Sequence, residues 1–310
     1  MTTPLAIETQ ALTKQYPGVR AIDGLDLAVP TGAICALIGR NGAGKTTAMR
    51  TLFGMIRPTS GRATVLGLPV EDRHAAVAIR RRAAFVDPAA LYPWMTVREL
   101  LRLARTCNAD WDRAREAAGL AVLDLPLARR VSALSRGMRV KLALLIALAR
   151  NAELFLFDEP TEGLDPVVRR QVLHALVAAN ATRGATLLVS SHQLAELEEI
   201  ANWLCLMDRG RLVLAGDMDD IRATHHRVDA AWPAQCPATL AAASGVVSAR
   251  INGAFATLIV AGDAHMALSG LGATIQDIRP ATLAEIVLAH VGREHDEAEW
   301  VSTGAADALA

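Results

Sequence analysis

Gly39-Arg40-Asn41-Gly42-Ala43-Gly44-Lys45-Thr46 decides how the rest of this chain is read. It fits the pattern G-x-x-x-x-G-K-[ST], and its surroundings fit as well. The apolar run Ala33–Ile38 before it reads as a buried strand, and the stretch after Gly44 reads as a helix. Glycines let the backbone curl so that several N–H groups point into one concavity. The helix N-terminus adds partial positive charge to that concavity. The product is a phosphate cradle. Lys45 is placed to bridge the β- and γ-phosphates of a nucleotide, and the Thr46 hydroxyl to bind Mg2+. An ordinary glycine-rich turn would have no need of the strand and helix on either side.

A second site segment lies far along the chain. Leu154–Phe157 reads as another buried strand, and it ends in Asp158-Glu159. The carboxyl edge of such strands is where an α/β sheet presents ligand chemistry. Asp158 is a candidate for holding Mg2+ through water, and Glu159 for orienting and deprotonating an attacking water. Without the phosphate loop, Asp158-Glu159-Pro160 reads equally as an acidic helix cap. His192 follows the apolar strand Thr186–Val189 and Ser190-Ser191. On its own it is a structural residue as readily as a functional one. Tyr16 likewise reads as a core aromatic or a base-stacking platform.

Working outward, residues up to about 221 alternate short apolar runs with longer amphipathic stretches, which is an α/β pattern with a largely parallel sheet. Helical stretches are expected after Gly44, Val97, Ser135, Pro166 and Gln193, with a helical subdomain over about 95–150. Ile7–Lys14 and Leu25–Val29 alternate apolar and polar residues around Tyr16-Pro17-Gly18 and Asp23-Gly24. They are expected to form antiparallel strands and turns. From 222 the texture changes to small residues, with strand-like Val246–Ile251 and Ala256–Val260 and a helix at Thr282–Val291. We expect one domain at 1–221, a small α+β appendage at 222–292, and a disordered polar tail at 293–310.

Composition bounds the function classes. The 310 residues are 52% hydrophobic and 21% charged, enough to bury a sizeable core. Lys+Arg and Asp+Glu are both 32, so bulk basicity gives no support for a nucleic-acid partner. Cys35, Cys107, Cys205 and Cys236 show no metal-ligand spacing and read as reduced thiols of a cytosolic protein. The opening MTTPLAIETQ lacks signal-peptide features. The longest apolar run, Leu142–Ala149, falls short of the roughly 20 residues of a membrane span. Lys14, Lys45 and Lys141 are the only lysines; in so Arg-rich a chain, a Lys kept within the phosphate loop points to a need for its compact ammonium.

The order of motifs carries a resemblance. The phosphate loop is followed by Leu134-Ser135-Arg136-Gly137-Met138, Asp158-Glu159-Pro160-Thr161, Gly163-Leu164-Asp165 and Ser191-His192. Over residues 5–220 this closely resembles the nucleotide-binding domain of ATP-binding cassette (ABC) proteins, a P-loop NTPase fold. The resemblance implies a parallel-sheet core, an antiparallel β subdomain and a helical subdomain. It implies ATP and Mg2+ as cofactors, with residues 39–47, Gly39 through Thr47, around the phosphates. It matches Tyr16 to the adenine-stacking aromatic and His192 to the switch histidine at the γ-phosphate. Ser135, Arg136, Gly137 and Met138 match the signature segment that contacts a nucleotide bound on the other subunit. Asp165 matches the loop joining two subunits. The implied activity is ATP hydrolysis within a homodimer or a dimer with a paralogue. A separate transmembrane permease would be the driven partner, with the chain peripheral on the cytoplasmic face of the plasma membrane.

Two departures from the family pattern stand out. Arg136 and Met138 replace the usual Gly and Gln of the signature, and Arg136 either faces a phosphate or points to solvent. The Gln usual after the strand near 83–86 is absent; Phe85-Val86-Asp87-Pro88 stands there instead. Asp87 is the nearest candidate for a Mg2+ contact, though it cannot donate as an amide does. The following Leu91-Tyr92-Pro93-Trp94-Met95-Thr96 is either a docking loop for a partner helix or a local packing cluster. Asn108-Ala109-Asp110-Trp111-Asp112, the altered signature and the C-terminal helix look more like exporter subunits than importers. Competing readings are a soluble cassette ATPase of DNA repair or translation and an ATP-holding regulator without turnover. The absence of a coiled-coil insertion or second cassette speaks against the first. The retained Lys45, Asp158, Glu159 and His192 speak against the second.

Overall fold

The structure is a computed structural model, and it describes residues 4–291. The expected tail at 293–310 lies outside the described residues. The described residues pack as two compact units that divide between Leu212 and Val213.

The first unit opens with β1 (Leu5–Tyr16), β2 (Val19–Leu25) and β3 (Ala28–Pro30). Then come β4 (Ile34–Ile38), α1 (Lys45–Leu52), β5 (Ser60–Val65), β6 (Leu68–Pro69), α2 (Arg73–Arg82) and β7 (Ala83–Val86). The helices α3 (Val97–Cys107), α4 (Arg113–Leu123) and α5 (Arg136–Leu148) follow. The unit continues with β8 (Leu154–Asp158), α6 (Pro166–Arg183), β9 (Thr186–Ser191), α7 (Leu194–Glu198), β10 (Trp203–Asp208) and the start of β11 (Arg211–Asp217).

Its central sheet runs β11-β10-β4-β9-β8-β7. The pairings β10–β4, β4–β9, β9–β8 and β8–β7 are all parallel. Every residue of β4 and of β9 is buried, as continuous apolar runs in a sheet covered on both faces require. This register sets the carboxyl ends of β4, β8 and β9 side by side. β10 had not been anticipated from the sequence, although Trp203–Asp208 is as apolar as its neighbours and its inner residues are buried.

The second sheet is antiparallel, with order β2-β1-β5-β6 and β3 on β1. Two expectations are corrected here. Asp23-Gly24 lies within β2 rather than in a turn, with Gly24 accommodated at positive φ. Leu25–Val29 is not one strand. The Asp26 carboxylate accepts from the Ala11 N–H at 2.6 Å, and Thr9 Oγ1 bridges the Leu25 carbonyl and Leu27 N–H at 2.7 Å each. Side-chain bonds of this kind draw the backbone away from the ladder, so β2 ends and β3 begins on either side.

Helices α3 and α5 pack Val97, Leu100, Leu101, Leu142 and Leu145 into a separate apolar cluster with Leu125, Val131 and Leu134. Thr96 and Glu99 form a reciprocal capping box that starts α3.

The second unit takes the rest of β11, then α8 (Met218–Thr224), β12 (His225–Ala231), β13 (Val246–Asn252) and β14 (Phe255–Ala261). It ends with α9 (Ala264–Ala267), β15 (Thr274–Pro280) and α10 (Leu283–Val291). Its sheet, β13-β14-β12-β15, is antiparallel throughout. Val228, Trp232, Leu240, Leu258, Val260 and Leu268 form its core. The division falls between Leu212 and Val213, whereas sequence texture placed it after residue 221. The reason is α8: its Met218 and Ile221 are buried, and it packs on β12. Texture had grouped those apolar residues with the first domain.

Candidate active site

The phosphate loop begins where β4 ends. Gly42 and Gly44 take positive φ of 84° and 100°, and Gly44 is the N-cap of α1. A Cβ on Gly44 would strike the Ala21 carbonyl, and one on Gly39 the Met207 carbonyl. No other residue fits at these two positions. The loop closes through Ala43 N–H donating to the Arg40 carbonyl at 3.0 Å, and is anchored by Gly210 N–H donating to the Ala43 carbonyl at 3.0 Å. Asn41 and Gly42 are exposed, while Lys45 is 6% exposed. Its ammonium donates to the Gly39 carbonyl at 2.5 Å and lies 3.1 Å from Glu159 Oε1.

The parallel register brings the other candidates to the same edge. Asp158 of β8 pairs with Ser190 of β9. Asp158 Oδ1 accepts from Thr46 Oγ1 at 3.0 Å and from Ser190 Oγ at 2.9 Å. Ser190 Oγ in turn accepts from the Glu159 N–H at 2.9 Å. Ser190 was missed in sequence. Its signal was a polar residue closing an otherwise apolar strand beside Asp158. Glu159 has φ +48°, a left-handed conformation that costs a non-glycine residue on the order of 1–3 kcal/mol and persists only where the surroundings hold it.

His192 lies one residue beyond β9. Its Nδ1 is 2.9 Å from Glu159 Oε2. Since a carboxylate only accepts, Nδ1 carries the proton, and Nε2 accepts from the Gln193 amide at 3.4 Å. Glu159 therefore holds an ammonium on one oxygen and an imidazole N–H on the other.

Lys45, Thr46, Asp158, Glu159 and His192 thus form one connected cluster. Tyr16, Ser135, Arg136 and Asp165 make their hydrogen bonds and contacts elsewhere. Tyr16 closes β1, is 39% exposed, and has Lys14 Nζ 5.1 Å from its ring centre. Ser135 caps α5, accepting from the Met138 N–H at 3.2 Å. Asp165 caps α6, accepting from the Val167 and Val168 N–H groups at 3.1 and 3.0 Å. Arg136 is exposed, yet it is not simply in solvent: its guanidinium pairs with Glu162 at 2.7 Å and lies against Gly163.

Asp87 turns its carboxylate to the Ala89 N–H at 2.9 Å and to Arg50 at 3.4 Å. Neither oxygen bonds to Thr46 or Asp158. The loop that follows divides its residues. Leu91 and Met95 pack on the helical cluster, while Tyr92 and Trp94, with tilted rings 5.3 Å apart between centres, are 44% and 65% exposed.

Two hard hydroxyl and carboxylate oxygens, Thr46 Oγ1 and Asp158 Oδ1, meet beside the helix N-terminus. That donor set fits a small divalent cation such as Mg2+. Among the described residues no group of three or more His, Cys, Asp or Glu could hold a metal by protein ligands alone. That agrees with a cation that keeps water and substrate oxygens as its other ligands.

The family model described as ABC transporter matches residues 22–162. The daunorubicin/doxorubicin resistance ATP-binding protein of Streptomyces peucetius is 36% identical over 225 residues, covering 71% of this chain and 67% of its own. The bacitracin transport ATP-binding protein of Bacillus licheniformis is 31% identical over 223 residues, covering 71% and 72%. A solved structure of an ATP-binding subunit of an ABC transporter superposes with a TM-score of 0.63 at 29% identity, covering 71% of this chain and 92% of that one.

Proposed function

The chain belongs to the ABC transporter family as an ATP-binding subunit, and from that premise we propose that it hydrolyses ATP at the Lys45–Glu159–His192 cluster to drive a separate transmembrane subunit. The observation that carries this reading is the Glu159 carboxylate, bonded to Lys45 through one oxygen and to His192 through the other.

The residues divide the work by chemistry. Loop N–H groups from Gly39 through Thr47 and the Lys45 ammonium bind the β- and γ-phosphates. Thr46 and Asp158 hold Mg2+, which when bound offsets charge on the phosphate oxygens. Ser190 fixes the Asp158 carboxylate and the Glu159 backbone at once. Glu159 accepts the proton of the attacking water, and the His192 imidazole beside it sets the direction of the accepting oxygen. Tyr16 offers an exposed face to adenine. Asp87, whose carboxylate is turned to Arg50 and Ala89, acts on this site only through Arg50 of α1.

Ser135 and Gly137 serve a nucleotide held by a second subunit, since the start of α5 has no local phosphate loop to face. Asp165 stands at that junction. Closure of two such chains around ATP, and their opening after hydrolysis, is the motion passed on. Tyr92 and Trp94 form the contact to the membrane subunit: they are the large aromatics on this loop left uncovered while Leu91 and Met95, half-buried, pack against the helical cluster. Among the described residues no helix is long and apolar enough to cross a membrane. One relative is named for daunorubicin/doxorubicin resistance and another, 35% identical, for Nod factor export, which favours an exporter.

The test is co-purification. Glu159→Gln, tagged and expressed in the source cell, is recovered from gently solubilised membranes in Mg-ATP. The expected result is a multi-span membrane protein at near-stoichiometric yield. Recovery solely from the soluble fraction, without such a protein, would move the reading to a soluble cassette ATPase.

A further inference from the structure

Three site segments meet a second time, at Glu196. Glu196 lies on α7, one helical turn beyond His192. Its Oε2 accepts from the Thr161 hydroxyl in a short hydrogen bond, and its Oε1 pairs with Arg169 Nη1 at 2.9 Å. Thr161 stands two residues beyond Glu159, and Arg169 stands on α6, one turn beyond the cap Asp165. Glu196 and Thr161 are 9% and 2% exposed. Nothing in the assignments made so far uses this triad.

We propose that Glu196 is a positioning residue for hydrolysis, clamping the His192 segment to the Glu159 segment and to helix α6. The inference rests on the function proposed above.

The Glu159–His192 bond is a single tie between the segments after β8 and β9, and a single tie allows rotation about itself. Thr161–Glu196 is a second tie between the same segments, farther along each from the strand ends. Two separated ties make a frame. Both carboxylate oxygens of Glu196 are used, so its own orientation is fixed as well. A carboxylate this buried requires such partners, and an uncharged apolar contact would serve packing at less cost. The frame also bears on Glu159 itself. Its positive φ requires anchors on both sides of the residue. Ser190 supplies the one at Glu159 N–H, and the Thr161 hydroxyl supplies the one downstream. Arg169 extends the frame to the helix capped by Asp165. The orientation of His192 and the subunit-junction loop are then coupled through one carboxylate.

The test uses the full chain and two sets of variants. Thr161→Val removes one hydroxyl while keeping shape and leaving the Glu196–Arg169 pair in place. Thr161→Ser keeps the hydroxyl. Glu196→Gln keeps an acceptor but removes the charge. Misplacing a reacting group by about 1 Å costs up to about 100-fold in rate. Thr161→Val and Glu196→Gln are therefore expected to lower kcat by about 10–100-fold with KM for ATP nearly unchanged, and Thr161→Ser to restore it. In the protein without nucleotide, the His192 ring resonance, assigned by its loss in His192→Ala, is expected to move in Thr161→Val and return in Thr161→Ser. If kcat and KM worsen together in proportion to lost thermal stability, or if the His192 resonance stays in place in Thr161→Val, Glu196 merely holds the fold and the inference is overturned. A wild-type chain that fails to hydrolyse Mg-ATP overturns the proposed function instead, and the His192 resonance still decides the clamp.

Discussion

Glu159 Oε2 and His192 Nδ1 lie 2.9 Å apart, joining the end of β8 to the residue after β9. The two are 33 residues apart in the chain and come together because β8 and β9 are parallel neighbours, in register from Leu154↔Thr186 to Asp158↔Ser190. Replacing Glu159 by Gln keeps the shape and an acceptor oxygen for His192, and removes the group able to take a proton. General-base contributions run to about 10²–10⁴-fold. Glu159→Gln is therefore expected to lose about 10²–10⁴-fold in ATP turnover while still binding ATP, and to accumulate as a dimer in sizing experiments with Mg-ATP. Unchanged turnover would remove Glu159 from the role.

Lys45 offers a second, separable test. Its ammonium is buried against two loop carbonyls and Glu159, at the mouth of the phosphate loop. A hydrogen bond to a charged group is worth about 1.5–3 kcal/mol, and each 1.4 kcal/mol is tenfold in affinity. Lys45→Ala is expected to weaken ATP binding by about 10–100-fold in calorimetric titration. Wild-type affinity would refute the phosphate-cradle assignment.

Sequence exposed the site better than it exposed the architecture around it. Gly39–Thr46 and Asp158-Glu159 could be read because a phosphate demands glycine, Lys and a hydroxyl at fixed spacing, and no packing context alters that demand. Ser190 escaped notice because its role comes from register with Asp158, a long-range pairing that no local pattern records. Arg136 was read as facing phosphate or solvent. Its partner Glu162 lies 26 residues on and meets it only through the approach of α5 to the start of α6. The Leu25–Val29 error has the same origin. Local alternation favoured one strand, and the tertiary bond from Asp26 to the Ala11 N–H interrupted it. In the second unit, β13 and β14 showed through because each carries a short apolar run, Val246-Val247 and Leu258-Ile259-Val260. β15 did not, since Thr274–Pro280 is largely exposed and lies at the sheet edge.

The aromatic pair on the loop after β7 separates docking from folding. Trp94 is 65% exposed and Tyr92 44%, so replacing either with Ser removes little buried surface. Surface changes of this kind stay within about 0.5 kcal/mol of the parent stability. A Trp at the centre of a protein interface is worth about 2 kcal/mol or more, which is roughly 30-fold in affinity. Trp94→Ser is expected to melt with the wild type and to lose most of the membrane subunit from the co-purified material. Full recovery of that subunit would confine the pair to local packing.

The second unit carries its own electrostatic signature. Partial burial raises the pKa of Glu285, but the Thr282 N–H, the Arg227 and Arg279 guanidinium groups and the Thr282 hydroxyl outweigh it and bring it down to about 2. The bonds are short: Thr282 N–H at 2.8 Å, Arg227 at 2.9 Å and Arg279 at 2.7 Å. Glu285 also closes the start of α10, where its own N–H donates back to Thr282 Oγ1 at 3.3 Å. A carboxylate whose folded pKa lies below its ordinary value of 4.5 stabilises the fold above that value, and the contribution fades as pH falls from 4.5 to about 2. Glu285→Gln retains an acceptor for the cap and removes the charge shared by two arginines from β12 and β15. At pH 7 it is expected to speed amide hydrogen exchange in β12, β15 and α10. The gap between variant and wild type, expressed as opening free energy, should narrow steadily from pH 4.5 to pH 3. A gap that stays constant over that range would mean that Glu285 acts as a neutral cap and that the two arginines contribute nothing through its charge.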